Sequence, residues 1–181
     1  ASISKNLVNN IEIYTVHDGE LISDDDWCLE IITTPGHMFD HICLSLKDSN
    51  IIFSGDHVMG WSSTVIIPPS GNMAHYLGSL KKLLKREEDT YLPGHGSIIK
   101  SAKDYVVSQL AHRKFREKQI YDLVKEKPLT SQNLVGLIYP NIKCELKEAA
   151  RYNVYAHLMH LEEKQCVFSH GEMSINSKFH R

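Results

Sequence analysis

Three tight glycine turns in this chain each deliver a side chain able to bind metal. His37 stands in Thr34-Pro35-Gly36-His37, Asp56 follows Phe53-Ser54-Gly55, and His95 stands in Leu92-Pro93-Gly94-His95-Gly96. Each turn ends an apolar run, the position from which a buried strand presents a reactive residue. Imidazole nitrogen and carboxylate oxygen are the ligands zinc takes in catalytic sites, so His, Asp and His together suggest a metal site. The alternative is that the turns are only turns, since Pro-Gly marks turns everywhere. Around this trio, Trp61 and Thr64 on the loop after Asp56 are weaker candidates for lining a substrate cleft, against a plain packing role. His57 is read as structural rather than as a support for Asp56. His157 and His160, spaced i and i+3, could chelate a metal but are read as partly exposed helix positions far from any carboxylate cluster.

The elements that must position the trio are legible as changes of period. Ile11 to Val16, Trp27 to Thr33, Ile42 to Leu46 and Asn50 to Ser54 read as short strands, largely antiparallel, with Lys47-Asp48-Ser49-Asn50 as a hairpin turn. Leu21 and Ile22 form a short apolar piece between two turn clusters. From Asn72 the period becomes helical: Met73, Tyr76, Leu77, Leu80, Leu83 and Leu84 share one face, and Lys81, Lys82, Lys85 and Arg86 take the other. Thr90 to Leu92 is then a strand that ends at His95. Beyond Lys100 the pattern predicts one bent helix or two in series over Ser101 to Glu126, a short one capped by Thr130-Ser131, and a further one over Cys144 to Lys164. The tail from Cys166 to Phe179 reads as a hairpin, which completes a winged-helix pattern.

Length and composition allow one domain or two small ones. Hydrophobic residues make up 42% of the 181 and charged residues 23%, ordinary for a chain with a real core. No apolar run approaches the roughly 20 residues of a membrane helix, and with no signal peptide the expectation is a cytoplasmic protein without membrane contact. Cys28, Cys43, Cys144 and Cys166 lack CxxC spacing and read as reduced, mostly buried thiols. The net charge of -2 conceals a split: residues 1–99 hold 6 basic and 13 acidic residues, residues 100–181 hold 14 and 9. The charge split and the change of period both place a domain boundary near residue 100.

TPGHMFDHICL, FSGDHVMGWSSTVI and YLPGHG, in this order, resemble the last three motifs of the metallo-β-lactamase superfamily. The helical tail with its wing is similar to the C-terminal domain of the branch that contains the β-lactamase-like endoribonuclease and its bacterial relatives. The resemblance implies an α/β chain: residues 1–100 as the C-terminal portion of an αββα domain and residues 101–181 as a winged-helix-like domain. It implies His37 on a first metal, Asp56 bridging two, and His95 on the second; Asp40 and His41 resemble a family position beside the site, with a loop-capping role as the equal alternative. The family's HxHxDH signature is absent. It should lie upstream of Ile11, so the chain is expected to be the C-terminal part of a longer protein.

The implied chemistry is hydrolysis by a zinc-activated water of an ester, thioester, lactone or phosphodiester. Two zinc ions are expected in the complete enzyme and at most one, weakly bound, in this chain, which is expected to be inactive alone. No catalytic residue beyond the ligands is identified. The competing function is a nucleic-acid-binding or interaction module that uses the basic tail, although Glu145, Glu148, Glu162 and Glu163 dilute the charge of its third helix. The substrate is accordingly a small molecule or a nucleic acid, and self-association through an exposed sheet is expected.

Overall fold

The computed structural model describes the backbone of residues 5–8 and 11–13 and all of residues 14–181. In chain order the strands and helices are β1 (Lys5–Val8), β2 (Ile11–Tyr14), β3 (Leu21–Asp24), β4 (Trp27–Thr33), β5 (Ile42–Leu46), β6 (Ile51–Gly55), α1 (Met73–Leu83), β7 (Thr90–Pro93), β8 (Ile99–Lys100), α2 (Ala102–Glu126), β9 (Leu129–Thr130), α3 (Ser131–Ile138), α4 (Lys147–Glu163), β10 (Phe168–Ser169) and β11 (Lys178–His180). Strands β3 to β8 form one six-stranded sheet in sequence order. Its pairs are antiparallel except β6 with β7, which run parallel because α1 crosses over between them. That crossover is a βαβ unit, and it brings the ends of β6 and β7 side by side.

The amphipathic stripe of α1 accounts for its place. Met73, Tyr76, Leu80 and Leu83 are buried against Ile32, Cys43, Ile52 and Tyr91 of the sheet, each contributing about 1.5–3 kcal/mol of apolar burial. Asn72 caps the helix by accepting from the His75 amide at 2.9 Å. At its other end Lys82 reaches the Thr33 carbonyl at 2.9 Å, which ties α1 to the end of β4.

The tail folds as the pattern predicts, with one addition. β9 joins the terminal hairpin to make a three-stranded sheet ordered β10, β11, β9, and Thr130 and Asn133 form a capping box at the start of α3. A second core gathers Ile120, Val124, Leu134, Val154, Leu158 and Phe179. The expected boundary near residue 100 coincides with the start of α2. The first core nevertheless takes in Ala102, Val106 and Leu110 from α2 and Ala156 from α4, so α2 runs unbroken through both cores.

Two readings from sequence need correction. β3 is a paired strand rather than a short apolar piece, and its residues are all exposed, so no alternation marked it. Only Cys43 of the four thiols is buried; Cys28 and Cys166 are half-buried and Cys144 is exposed. Burial pushes the Cys43 thiol up to about 12, against an opposing hydrogen bond from Thr34. Among the described residues no helix is long and apolar enough to cross a membrane.

Candidate metal centre

His37, Asp56 and His95 lie on the three loops that leave β4, β6 and β7, at one edge of the large sheet. A register shift between Phe53 and Gly55 ends β6 and turns the chain so that Asp56 leaves the strand. Ser54 secures that turn: its hydroxyl donates to the Val58 carbonyl at 2.8 Å and its carbonyl accepts from the His57 amide. The neighbouring loops then zip onto it: the Gly94 amide donates to the Gly55 carbonyl and the Gly60 amide to the His95 carbonyl, both at 2.9 Å. A Cβ on Gly94 would stand 2.9 Å from Asp56 Oδ1 and would push the carboxylate aside.

The consequence is that His95 Nε2 stands 3.6 Å from Asp56 Oδ1. Two ligands about 2.0–2.2 Å from one tetrahedral ion stand roughly 3.3–3.6 Å apart, so the pair has the spacing of ligands on a shared metal. The His37 ring centre is 6.4 Å from that of His41. Among the described residues no three His, Cys, Asp or Glu groups form a closed ligand set. His37 is still prepared for one. Its Nδ1 donates to the Val65 carbonyl at 2.8 Å, which leaves the Nε2 lone pair free, the arrangement in which protein imidazoles bind metals. The donor set therefore fits a metal as a partial shell.

His41 has a different task. Its Nε2 accepts from the Asp56 amide at 3.1 Å and its Nδ1 meets the Thr34 hydroxyl at 2.8 Å, so both ring nitrogens are engaged. Burial lowers its pKa, the charge of nearby His37 lowers it further, and Asp56 opposes both. His57 lies behind Asp56, fully buried, with its ring centre 5.7 Å from His41 and 4.7 Å from Tyr76. Neither of its ring nitrogens has a hydrogen-bond partner among the described residues. Burial, then the charges of His41, His37 and Arg113, push its pKa down to about 3, so the imidazole is neutral.

The loop candidates separate. Trp61 is 72% exposed and packs its ring edge on Gly96, next to His95. Thr64 is fully buried, and its hydroxyl is committed to the Asp56 and His57 carbonyls. It secures the Asp56 loop from inside instead of facing a cleft.

Sequence reasoning did not find what secures this loop from behind. Tyr105 of α2 donates to the Met59 carbonyl at 2.8 Å, Arg113 of α2 donates to the Thr64 carbonyl, and Asn153 of α4 accepts from the Ile66 amide at 2.9 Å. These partners are 46 to 87 residues apart in sequence, with no local pattern to announce them. The histidines of α4 also differ from expectation. Glu117 of α2 faces them, accepting from His160 Nδ1 at 2.6 Å and from Lys164 at 2.9 Å, with His157 Nδ1 at 3.8 Å. Burial alone would raise the Glu117 pKa, but the hydrogen bonds from His160 and Lys164, with His157 close by, outweigh it and hold the carboxyl well below its usual range.

Comparison with known proteins shows what the chain and its fold are similar to. The profile of the metallo-beta-lactamase superfamily matches residues 8–95, and that of the beta-lactamase associated winged helix domain matches residues 130–175. The beta-lactamase-like protein 2 homolog of Caenorhabditis elegans is 32% identical over 140 residues, which cover 77% of this chain and 46% of that protein. The atrochrysone carboxyl ACP thioesterase AgnL7 of Paecilomyces divaricatus is 30% identical over 104 residues, covering 58% and 32%. Among solved structures, a metallo-beta-lactamase family protein from Thermus thermophilus superimposes with a TM-score of 0.78 at 22% identity, over 92% of this chain and 53% of that one, a likeness of fold. The chain spans about half the length of the curated relatives it matches.

Proposed function

The chain belongs to the metallo-β-lactamase superfamily, a family of hydrolases whose members bind metal ions, and from that premise we propose that it carries part of a dinuclear zinc hydrolase site. His37, Asp56 and His95 are the ligands it contributes, with Asp56 bridging. The observation that carries this reading is the 3.6 Å approach of His95 Nε2 to Asp56 Oδ1, beside a His37 whose Nδ1 is already engaged. Bound zinc would supply a water of pKa near 7 and a Lewis acid for the oxygen of the bond under attack. The protein's part is to hold the ligands. Val65 fixes the His37 tautomer, and His41 and Thr64 fix the turn from which Asp56 projects. With only these three ligands, the chain by itself binds at most one zinc, weakly, and is inactive.

The loops carrying the ligands narrow the substrate. Residues 34–41, 55–72 and 93–99 contain no Lys or Arg, while Met38, Phe39, Trp61 and Ile98 are exposed on them. A polyanion is held by Lys and Arg, so this surface favours an apolar acyl ester, thioester or lactone over a phosphodiester. The thioesterase among the relatives supports the same reading. The second reading, a nucleic-acid module, draws on the winged-helix match at residues 130–175. Two cations in and just past α4 weigh against it: Arg151 is committed to Ser131, Asn176 and Glu148, and Lys164 to Glu117.

The test is to assay the full-length, zinc-loaded gene product on an acyl thioester, a lactone and a single-stranded oligoribonucleotide. The expected result is acyl hydrolysis that falls about 100-fold or more in Asp56→Asn. Cleavage of the oligonucleotide alone would overturn the acyl assignment. Edge strand β3, with Leu21, Ile22 and the neighbouring Trp27 exposed, supports self-association through the sheet, which sedimentation of the chain over a range of concentrations would detect.

A further inference from the structure

We infer that Arg113, together with Asn153, is a positioning residue for the metal ligands, so that the helical tail sets the geometry of the site; the inference rests on the ligand assignment above. Arg113 is 2% exposed. Its guanidinium makes no ion pair with a carboxylate among the described residues; it donates instead to the Thr64 carbonyl and, at 3.4 Å, to Asn153 Oδ1, and lies 5.1 Å over the Tyr76 ring. Burying a guanidinium without a carboxylate is costly, and packing alone would be served better by an apolar side chain. Its donors therefore point to a polar task at this spot.

That task is to hold Val65 from both sides. Arg113 binds the carbonyl of Thr64, the residue before it, and Asn153 accepts from the amide of Ile66, the residue after it, at 2.9 Å. Between them the Val65 carbonyl is the acceptor that fixes His37 Nδ1. The same clamp reaches Asp56, because Thr64, held by Arg113, donates its hydroxyl to the Asp56 carbonyl. One guanidinium on α2 thus governs the tautomer and direction of one ligand and the backbone of another. Arg113 and Asn153 touch neither substrate nor metal in this scheme; they act through Val65 and Thr64.

Two metal-free readings on this chain test the clamp directly: amide hydrogen exchange across residues 56–66, and the side-chain nitrogen shifts of His37, which report its tautomer. Arg113→Met keeps the bulk and removes the donors; Asn153→Ala removes the other arm from a half-buried position. In both variants exchange at residues 64–66 is expected to quicken about 10-fold, and His37 to lose its fixed Nδ1–H form. Exchange in the second core, at Val154 and Leu158, should stay as in the parent. Arg113→Lys, which can reach Thr64 but cannot fork to Asn153, should restore part of the protection. Zinc affinity should fall about 10- to 100-fold in the first two variants, the usual effect of removing a group that orients a ligand. If Arg113→Met does not fold, Asn153→Ala decides. Unchanged loop exchange and an unchanged His37 tautomer would overturn the clamp. Loosened loops in the variants, with a parent chain that binds no zinc, would uphold the clamp and reject the metal assignment.

Discussion

The backbone amide of Asp56 donates to His41 Nε2 at 3.1 Å, and the residue just before Asp56 is Gly55, with φ +52° and a would-be Cβ only 2.8 Å from the same nitrogen. The turn that presents Asp56 is therefore built on a histidine acceptor and on a residue without a side chain. Gly55→Ala should destabilise the fold by at least about 1–2 kcal/mol from the left-handed backbone alone. It should also displace His41. Denaturant melting checks the first effect, and a variant as stable as its parent would show that the turn relaxes freely.

At the opposite end of the strands Arg86 pairs with Glu30 at 2.8 Å and Glu88 at 2.6 Å. Burial alone would raise the Glu88 pKa, but hydrogen bonds from Arg86 and Ser45 outweigh it and bring it down to about 2. Glu30 is lowered too, first by its hydrogen bond from Arg86. A carboxylate depressed in the fold contributes stability that is present above its unfolded pKa of about 4.3 and is lost as pH falls through the folded value. Stability should therefore decline between about pH 4.5 and pH 2, and Arg86→Met should flatten that decline in acid-unfolding curves.

The buried histidines act at higher pH. Burial depresses the pKa of His157 to about 4, against the opposing pull of the Glu117 carboxylate 3.8 Å away, and that of His57 to about 3. Each takes up its proton near pH 6.5 when unfolded, so each contributes stability that is present above about pH 6.5 and lost as pH falls below it. The slope should approach about 1.4 kcal/mol per pH unit for each group. His157→Gln should reduce the slope between about pH 6.5 and 4.5 by up to about 1.4 kcal/mol per pH unit, and an unchanged slope would place its titration elsewhere.

Because α2 supplies Ala102, Val106 and Leu110 to the core under the sheet and α4 supplies Ala156, a chain ended at residue 100 should not fold cooperatively. Thermal melting of such a fragment is expected to lack a sharp transition. A cooperative melt would show that the sheet and α1 suffice.

The period of the sequence carried the sheet, the crossover helix and the winged-helix tail because each buries one regular face: Met73, Tyr76 and Leu80 recur at helical spacing, and Ile31 and Cys43 belong to runs that alternate or stay apolar. The three turns that carry the proposed ligands were legible for a related reason, since a strand that ends at a glycine turn has few ways to point the next side chain. Leu21 to Asp24 escaped because an edge strand with both faces exposed leaves no alternation. Arg113, Asn153 and Tyr105 escaped because their partners are backbone atoms far along the chain, and a main-chain acceptor leaves no mark on residue types. The pairing of His157 and His160 with a carboxylate is invisible in α4 itself because Glu117 comes from another helix.

The metal assignment itself is tested most directly by zinc titration against a competing chelator, with the parent chain beside His37→Ala, Asp56→Asn and His95→Ala. At most one zinc per chain is expected to bind the parent, weakly, and each substitution should weaken it further by about 10-fold or more. Binding of the same stoichiometry and affinity in all four proteins, or two tightly held ions in the parent, would contradict the site.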